Sequence, residues 1–148
     1  MALPAPVLYD PNTHKSILHQ VATIHADCVL QDGTLATFLP DRNGNMDHQK
    51  LLNFWLSRSE EVANGSRVIT LQFLDDREGE LMGYVSLDMP FSETGPFRAG
   101  VEKLLVSPKH RYRSVARRVM GRLEEVAREK GRYMLVCFSR ASGSVDVD

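Results

Sequence analysis

The sequence predicts an α/β (α+β) domain built on a mixed, mostly antiparallel sheet flanked by helices. Three observations predict it. Two stretches of the first half repeat apolar residues at helical spacing. The middle, from Val68 to Val106, is β-rich and broken by turn chemistry. An apolar strand at 97–106 then runs through a Pro-containing loop into the most regular helical pattern of the chain, and on to another apolar strand. A chain of 148 residues can bury a real core, so we expect one domain over 1–148, with 1–10 as a flexible lead-in.

The elements follow in order. Ile17, Leu18, Val21, Ile24, Cys28 and Val29 fall three, four and seven apart, which predicts a helix from Thr13 to Leu30, capped by Asn12 or Thr13. Asp41 to Asn45 is a polar loop. Leu51, Leu52, Phe54, Trp55, Leu56 and Val62 predict a second helix over 47–63, stopped by Asn64-Gly65. Val68 to Leu74 reads as a strand, Asp75 to Gly79 as a hairpin connection and Leu81 to Leu87 as the returning strand. Pro90 to Pro96 is a longer turn, and Phe97 to Val106 a third strand. Helix 114–130 buries Val115, Val119, Met120, Leu123, Val126 and Ala127 on one stripe and ends at Gly131. Tyr133 to Phe138 is the last strand. A right-handed crossover makes it parallel to the third.

Composition excludes more than it assigns. Net charge is −1, which gives no global argument for nucleic acid or a membrane surface. No apolar run approaches the ~20 residues of a membrane span. The two cysteines, Cys28 and Cys137, show neither zinc nor disulfide spacing, and an intracellular, cytoplasmic protein is expected.

The loop between the third strand and helix 114–130 carries the chemistry. Leu104-Leu105-Val106-Ser107-Pro108 leads into Lys109-His110-Arg111-Tyr112-Arg113-Ser114-Val115-Ala116. Backbone N–H groups of a helix's first turn, with the positive end of its dipole, bind phosphate oxygens. Small residues and positive charge at such a place read as a pyrophosphate cradle. A nucleic-acid patch is the rival reading of Lys109, His110, Arg111, Arg113, Arg117, Arg118 and Arg122. Only Tyr112 is there to stack on bases, and nucleic acid does not explain charges gathered at a helix start.

Two helices, a meander and a strand–loop–helix–strand crossover, joined to this loop, resemble the GNAT family of acetyl-CoA-dependent N-acetyltransferases. The family signature Q/R-x-x-G-x-G/A appears as Arg111-Tyr112-Arg113-Ser114-Val115-Ala116, with Ser114 in place of the central glycine. The lead-in 104–108 and the follow-on Ala116 to Met120 match as well. The resemblance covers about residues 45–145, is strongest from Phe97 to Gly131, and extends through Gly143-Ser144-Val145. It is closest to small-molecule acetyltransferases of the tabtoxin-resistance type.

The resemblance implies acetyl transfer from acetyl-CoA, as co-substrate, to the amine of a small molecule, without a metal. Backbone groups of Leu104, Leu105 and Val106 would pair with the pantetheine arm as an added strand would. N–H groups from Tyr112 through Ser114, Val115 and Ala116 to Arg117 would hold the diphosphate, with Arg111 and Arg113 adding charge. Ser114 would weaken that grip, while its hydroxyl could cap the helix. Phe54 and Trp55, as isolated aromatics in an amphipathic segment, read as core; the resemblance implies instead that they touch the acceptor, because the family's second helix helps cover that site. Many members carry a glutamate six residues before the Val that precedes the loop; that position is Gly100 here. Glu102, two residues on and on the same strand face, is the candidate general base. The bland reading of Glu102 is a surface carboxylate paired with a lysine. The family's later tyrosine acid and final hairpin have no counterpart before Asp148, so a C-terminally truncated member is expected. The alternative function is a catalytically impaired CoA-binding or interaction module, and a homodimer could complete the open sheet edge.

Two further candidates are set aside. His14, His19 and His25 share a helix with Asp27 and Cys28, but His14 and His25 stand three turns apart and cannot chelate one ion. Cys137 lies in an apolar strand with no activating neighbour in sequence and reads as core.

Overall fold

The computed structural model describes residues 3–32, 42–90, 97–111 and 114–137. The turn beyond Pro90, the loop residues Tyr112 and Arg113, the end of the last strand at Phe138, the 143–145 likeness and the Cys137 side chain lie outside them.

Strand β1 is Val7–Leu8, followed by helices α1 (Leu18–Asp32) and α2 (His48–Ala63), strands β2 (Arg67–Phe73), β3 (Leu81–Asp88) and β4 (Arg98–Val106), helix α3 (Val115–Glu129) and strand β5 (Met134–Cys137). The sheet order is β1-β2-β3-β4-β5. The first four strands are mutually antiparallel, and β5 runs parallel to β4. This is the mixed, mostly antiparallel sheet that the sequence predicts.

Helices α1 and α2 cover one face of the sheet and α3 the other. Ile69, Leu71, Phe73, Tyr84 and Leu105 pack with α1 and α2, while Val68, Val85, Leu87, Ala99 and Val101 pack with Val119, Leu123 and Val126 of α3. Every residue of β2 is buried because both of its faces are covered. That explains its loose alternation in sequence.

Local signals account for the element ends. Asp47 caps α2 by accepting the Lys50 N–H at 3.1 Å. Beyond α3, Gly131 takes φ +75°, Arg132 N–H donates to Ala127 O at 2.8 Å, and Gly131 N–H to Arg128 O at 3.1 Å. These two bonds form a Schellman stop, which glycine's left-handed freedom permits.

Three expectations need correction. The first helix is preceded by a 3-10 turn at Lys15–Ile17, and Asp10 rather than Asn12 or Thr13 organises its start. Its carbonyl accepts the His14 N–H at 2.7 Å, and its carboxylate the Asn12 N–H at 2.9 Å. The described part of the lead-in, 3–10, is tied down. Val7 and Leu8 pair with β2, and Gln72 and Arg118 both donate to Pro4 O at 2.8 Å. Strand β4 is not regular: Ser86 faces Glu102 while Tyr84 faces Leu105, so β4 holds one extra residue there. Lys103, in that bulge, takes φ +54°. Among the described residues no helix is long and apolar enough to cross a membrane.

Candidate functional site

The site is built where β4 ends and α3 begins. A short 3-10 turn, Pro108–His110, joins them, and the Ser107 hydroxyl accepts the Lys109 N–H at 3.3 Å. The first backbone bond of α3 is Arg118 N–H to Ser114 O at 3.1 Å. Among the described residues nothing accepts the N–H groups of Val115, Ala116 or Arg117. These first-turn donors suit an anion.

Ser114 adopts φ 61°, ψ 25°, the left-handed region, and its side chain makes no cap bond. The hydroxyl cap expected from sequence is therefore absent, because the left-handed turn replaces it. A non-glycine residue in that region costs about 1–2 kcal/mol. We predict that Ser114→Gly raises stability by about 1 kcal/mol. Denaturant unfolding checks this, and a lower midpoint would contradict it.

Gly83 of β3 seats the helix start. A Cβ there would meet Val115 Cγ1 at 2.7 Å and the Leu105 carbonyl oxygen at 2.9 Å. Only a glycine lets α3 come this near the sheet.

Beside this helix start, β4 has a strand neighbour on one side only among the described residues. Strand β5 pairs with β4 up to Val101 opposite Cys137, and among the described residues no strand follows along 102–106. Ser107 N–H donates to Met82 O at 2.8 Å, so alternation turns the backbone of Leu105 toward β3 and that of Val106 toward the open edge. Of the three residues expected to meet a pantetheine arm, Leu105 thus points the other way. Val106 O accepts Arg111 Nε at 3.1 Å and the Cys28 thiol at 3.4 Å. Arg111 Nη2 reaches Cys28 Sγ at 3.7 Å. The Arg111 guanidinium ties the loop to the end of β4.

The rest of the basic run divides. Arg118 donates to Gln72 Oε1 at 2.9 Å and to the lead-in carbonyls, so it is a strap. Arg122 pairs with Glu125 at 3.0 Å. His110 Nε2 sits 2.6 Å from Glu80 Oε2. Arg117 remains exposed at the helix start. Arg113 and Tyr112 lie outside the described residues.

On the α1/α2 face of the same strand stands a charged cluster that sequence reasoning missed. Arg67, 4% exposed, donates Nε to Glu61 at 2.6 Å and Nη1 to Glu102 at 2.9 Å. It also bonds the Ser86 hydroxyl and lies 3.7 Å from Asp88. Glu102 is paired with a buried arginine, not with a lysine on the surface. Burial pushes the Asp88 carboxyl up; Arg67 pulls it down, and Glu102 and Glu61 push it further up. The four partners of Arg67 sit at 61, 86, 88 and 102, and no local pattern joins them. The one usable signal was Glu102-Lys103, two charges in succession inside an apolar strand, which marks the bulge.

The sequence pairs Phe54 with Trp55 as acceptor contacts; the structure separates them. Trp55 has no exposed surface, stacks edge-on against Tyr84 at 5.2 Å, and donates Nε1–H to His25 Nδ1 at 3.1 Å. It is core. Phe54 is half-buried, with the Arg58 guanidinium 4.9 Å and Lys103 Nζ 5.7 Å from its ring centroid. His25 packs here too and is held neutral by burial, then by Lys103, at a pKa of about 4. Among the described residues no group of His, Cys, Asp and Glu is arranged to hold a metal ion.

A protein of Salmonella typhimurium solved with its cofactor acetyl-CoA superposes with a TM-score of 0.61 at 18% identity, over 90% of this chain and 69% of its own. An N-acetyltransferase of Staphylococcus aureus Mu50 gives 0.67 at 15% identity, over 95% and 77%. The ribosomal-protein-alanine N-acetyltransferase of Brucella melitensis gives 0.65 at 20% identity, over 93% and 76%. No curated protein sequence matches the chain. These likenesses establish the fold. The sequence profile of the acetyltransferase (GNAT) family matches residues 37–145, most of the chain, and the protein therefore belongs to that family.

Proposed function

We propose that the protein transfers the acetyl group of acetyl-CoA to the amine of a small molecule. One observation carries the reading: the N–H groups of Val115, Ala116 and Arg117, for which no acceptor is found among the described residues, lie beside the stretch of β4 along which no described strand runs. Those donors would hold the diphosphate, with charge from Arg113 and Arg117. The backbone of Leu104 and the N–H of Val106 would take the pantetheine arm as an added strand, the Val106 carbonyl being already held by Arg111 and Cys28. Acetyl-CoA supplies an activated thioester. The chain supplies orientation and a base. Glu102, held by Arg67 on the acceptor face, would take the proton of the attacking amine. Phe54 would line the approach.

Calorimetry with acetyl-CoA, followed by thiol release over a panel of small amines, tests this reading. Saturable heat and amine-dependent release are expected. No heat at millimolar acetyl-CoA would overturn it. Arg113→Glu should weaken binding about tenfold, the equivalent of one charge-assisted hydrogen bond. Unchanged affinity would remove Arg113 from the site. The ion pair between Glu102 and Arg67 also favours a second reading, a module that binds CoA without turnover. That contact occupies a carboxylate oxygen that a general base would have to offer to the amine. Binding with no release from any amine would select it.

A further inference from the structure

We propose that the protein acetylates itself, with the side-chain amine of Lys103 taking the acetyl group of acetyl-CoA bound along β4. The inference rests on the acetyl-CoA reading above. It starts from placement. Lys103 occupies the β4 bulge, directly before the edge at Leu104 and Val106. A diphosphate held at 114–117 lies at the far end of β4. An arm running back along that edge brings its thioester to the bulge, where the strand turns its side chains anew. The Lys103 amine lies on the α1/α2 side of the bulge, against Phe54. The thioester and this amine would then meet at the bulge within β4.

Backbone and charge support the placement. Lysine at φ +54° is strained, and such strain collects at functional positions. The charged and titratable groups around Lys103 are Glu102 on its own strand, Arg58 on α2, Arg67 on β2 and His25 on α1. Burial lowers the pKa of the Lys103 ammonium; Glu102 opposes this, and Arg58 and Arg67 add to it. A lysine that gives up its proton more readily offers more of the nucleophilic amine.

The step balances without metal or oxidant. The neutral Nζ attacks the thioester carbonyl carbon. The C–N bond forms and the C–S bond breaks. The nitrogen loses one proton to Glu102 or water, and the departing thiolate gains one from solvent. The product is an uncharged amide beside Phe54.

Incubating the full chain with acetyl-CoA and no acceptor, then reading intact mass and mapping peptides, tests the proposal. Calorimetry is run alongside. Expected is one acetyl group per chain, on Lys103, gained faster in alkaline than in neutral buffer and suppressed by excess CoA. Lys103→Arg keeps the cation and should gain none. Wild-type protein that binds acetyl-CoA yet stays unmodified overturns this proposal alone. Equal gain in Lys103→Arg, or gain that excess CoA does not suppress, also overturns it. If no acetyl-CoA binds, the functional reading falls, and this one with it. Should Lys103→Arg not fold, peptide mapping of the wild-type protein decides.

Discussion

Arg67→Met is expected to lower stability by about 3 kcal/mol at neutral pH. The arginine is almost wholly buried, and its guanidinium holds Glu61, Glu102 and Ser86 directly, with Asp88 at 3.7 Å. Methionine fills much of the same volume but leaves three carboxylates facing one another. Breaking a buried ion pair costs roughly 3–5 kcal/mol. The low end applies because the carboxylate side chains are each about one-third exposed and keep some water. The deficit should depend on pH. Without Arg67 the three carboxylates repel one another with no cation between them, so the loss is largest at neutral pH, where all are charged, and shrinks on acidification. Urea unfolding of both proteins at neutral and mildly acidic pH measures this. A deficit that is small, or equal at the two pH values, would show that the cluster is held by water and not by Arg67.

Acid should weaken the native state through His25 before the carboxylates titrate. His25 is buried, accepts the Trp55 indole N–H on Nδ1, and has its pKa lowered from 6.5 to about 4. Its folded pKa is depressed, so the unfolded chain binds the proton first as pH falls. The stability this group supplies is complete above pH 6.5, and is lost as pH falls through that value toward 4. The full swing is roughly 3 kcal/mol, because one pKa unit corresponds to about 1.4 kcal/mol. Trp55 fixes the tautomer with the proton on Nε2, and protonating Nδ1 would break the indole bond. His25→Gln can keep an acceptor for Trp55 and does not titrate. Its stability should stay flat over the upper part of that window while the wild-type value falls. Parallel curves for the two proteins would contradict the assignment.

Elements with local signals were legible in the sequence, and long-range partnerships were not. Helix α3 shows its buried stripe and its Gly131 stop within adjacent residues, but not the left-handed turn that Ser114 makes at its start. The stop at Asn64-Gly65 is equally local. Strand alternation correctly places Gly100 and Glu102 on one face, because both lie before the bulge. The resemblance, which gave Leu105 the same role as Leu104 and Val106, could not show the inserted residue before Leu105, and no glycine marks the place. Trp55 looked like its neighbour Phe54 because both are aromatic. What separates them is His25 and Tyr84, brought from α1 and β3. The basic run read as a single cluster because charge is visible in sequence and its partners are not. Arg118 is claimed by Gln72 and the lead-in, and Arg111 by the end of β4. Arg67 is the plainest case. A lone arginine at a strand start gives no hint that four residues spread over 61–102 converge on it.

The diphosphate cradle is tested most directly by following backbone amide resonances during a titration with CoA. The amides of Val115, Ala116 and Arg117 should shift together and saturate with the binding heat, while those at the start of α2, an equally polar helix end, stay put. Saturable CoA binding that leaves the three α3 amides unmoved would place the phosphates somewhere else on this fold.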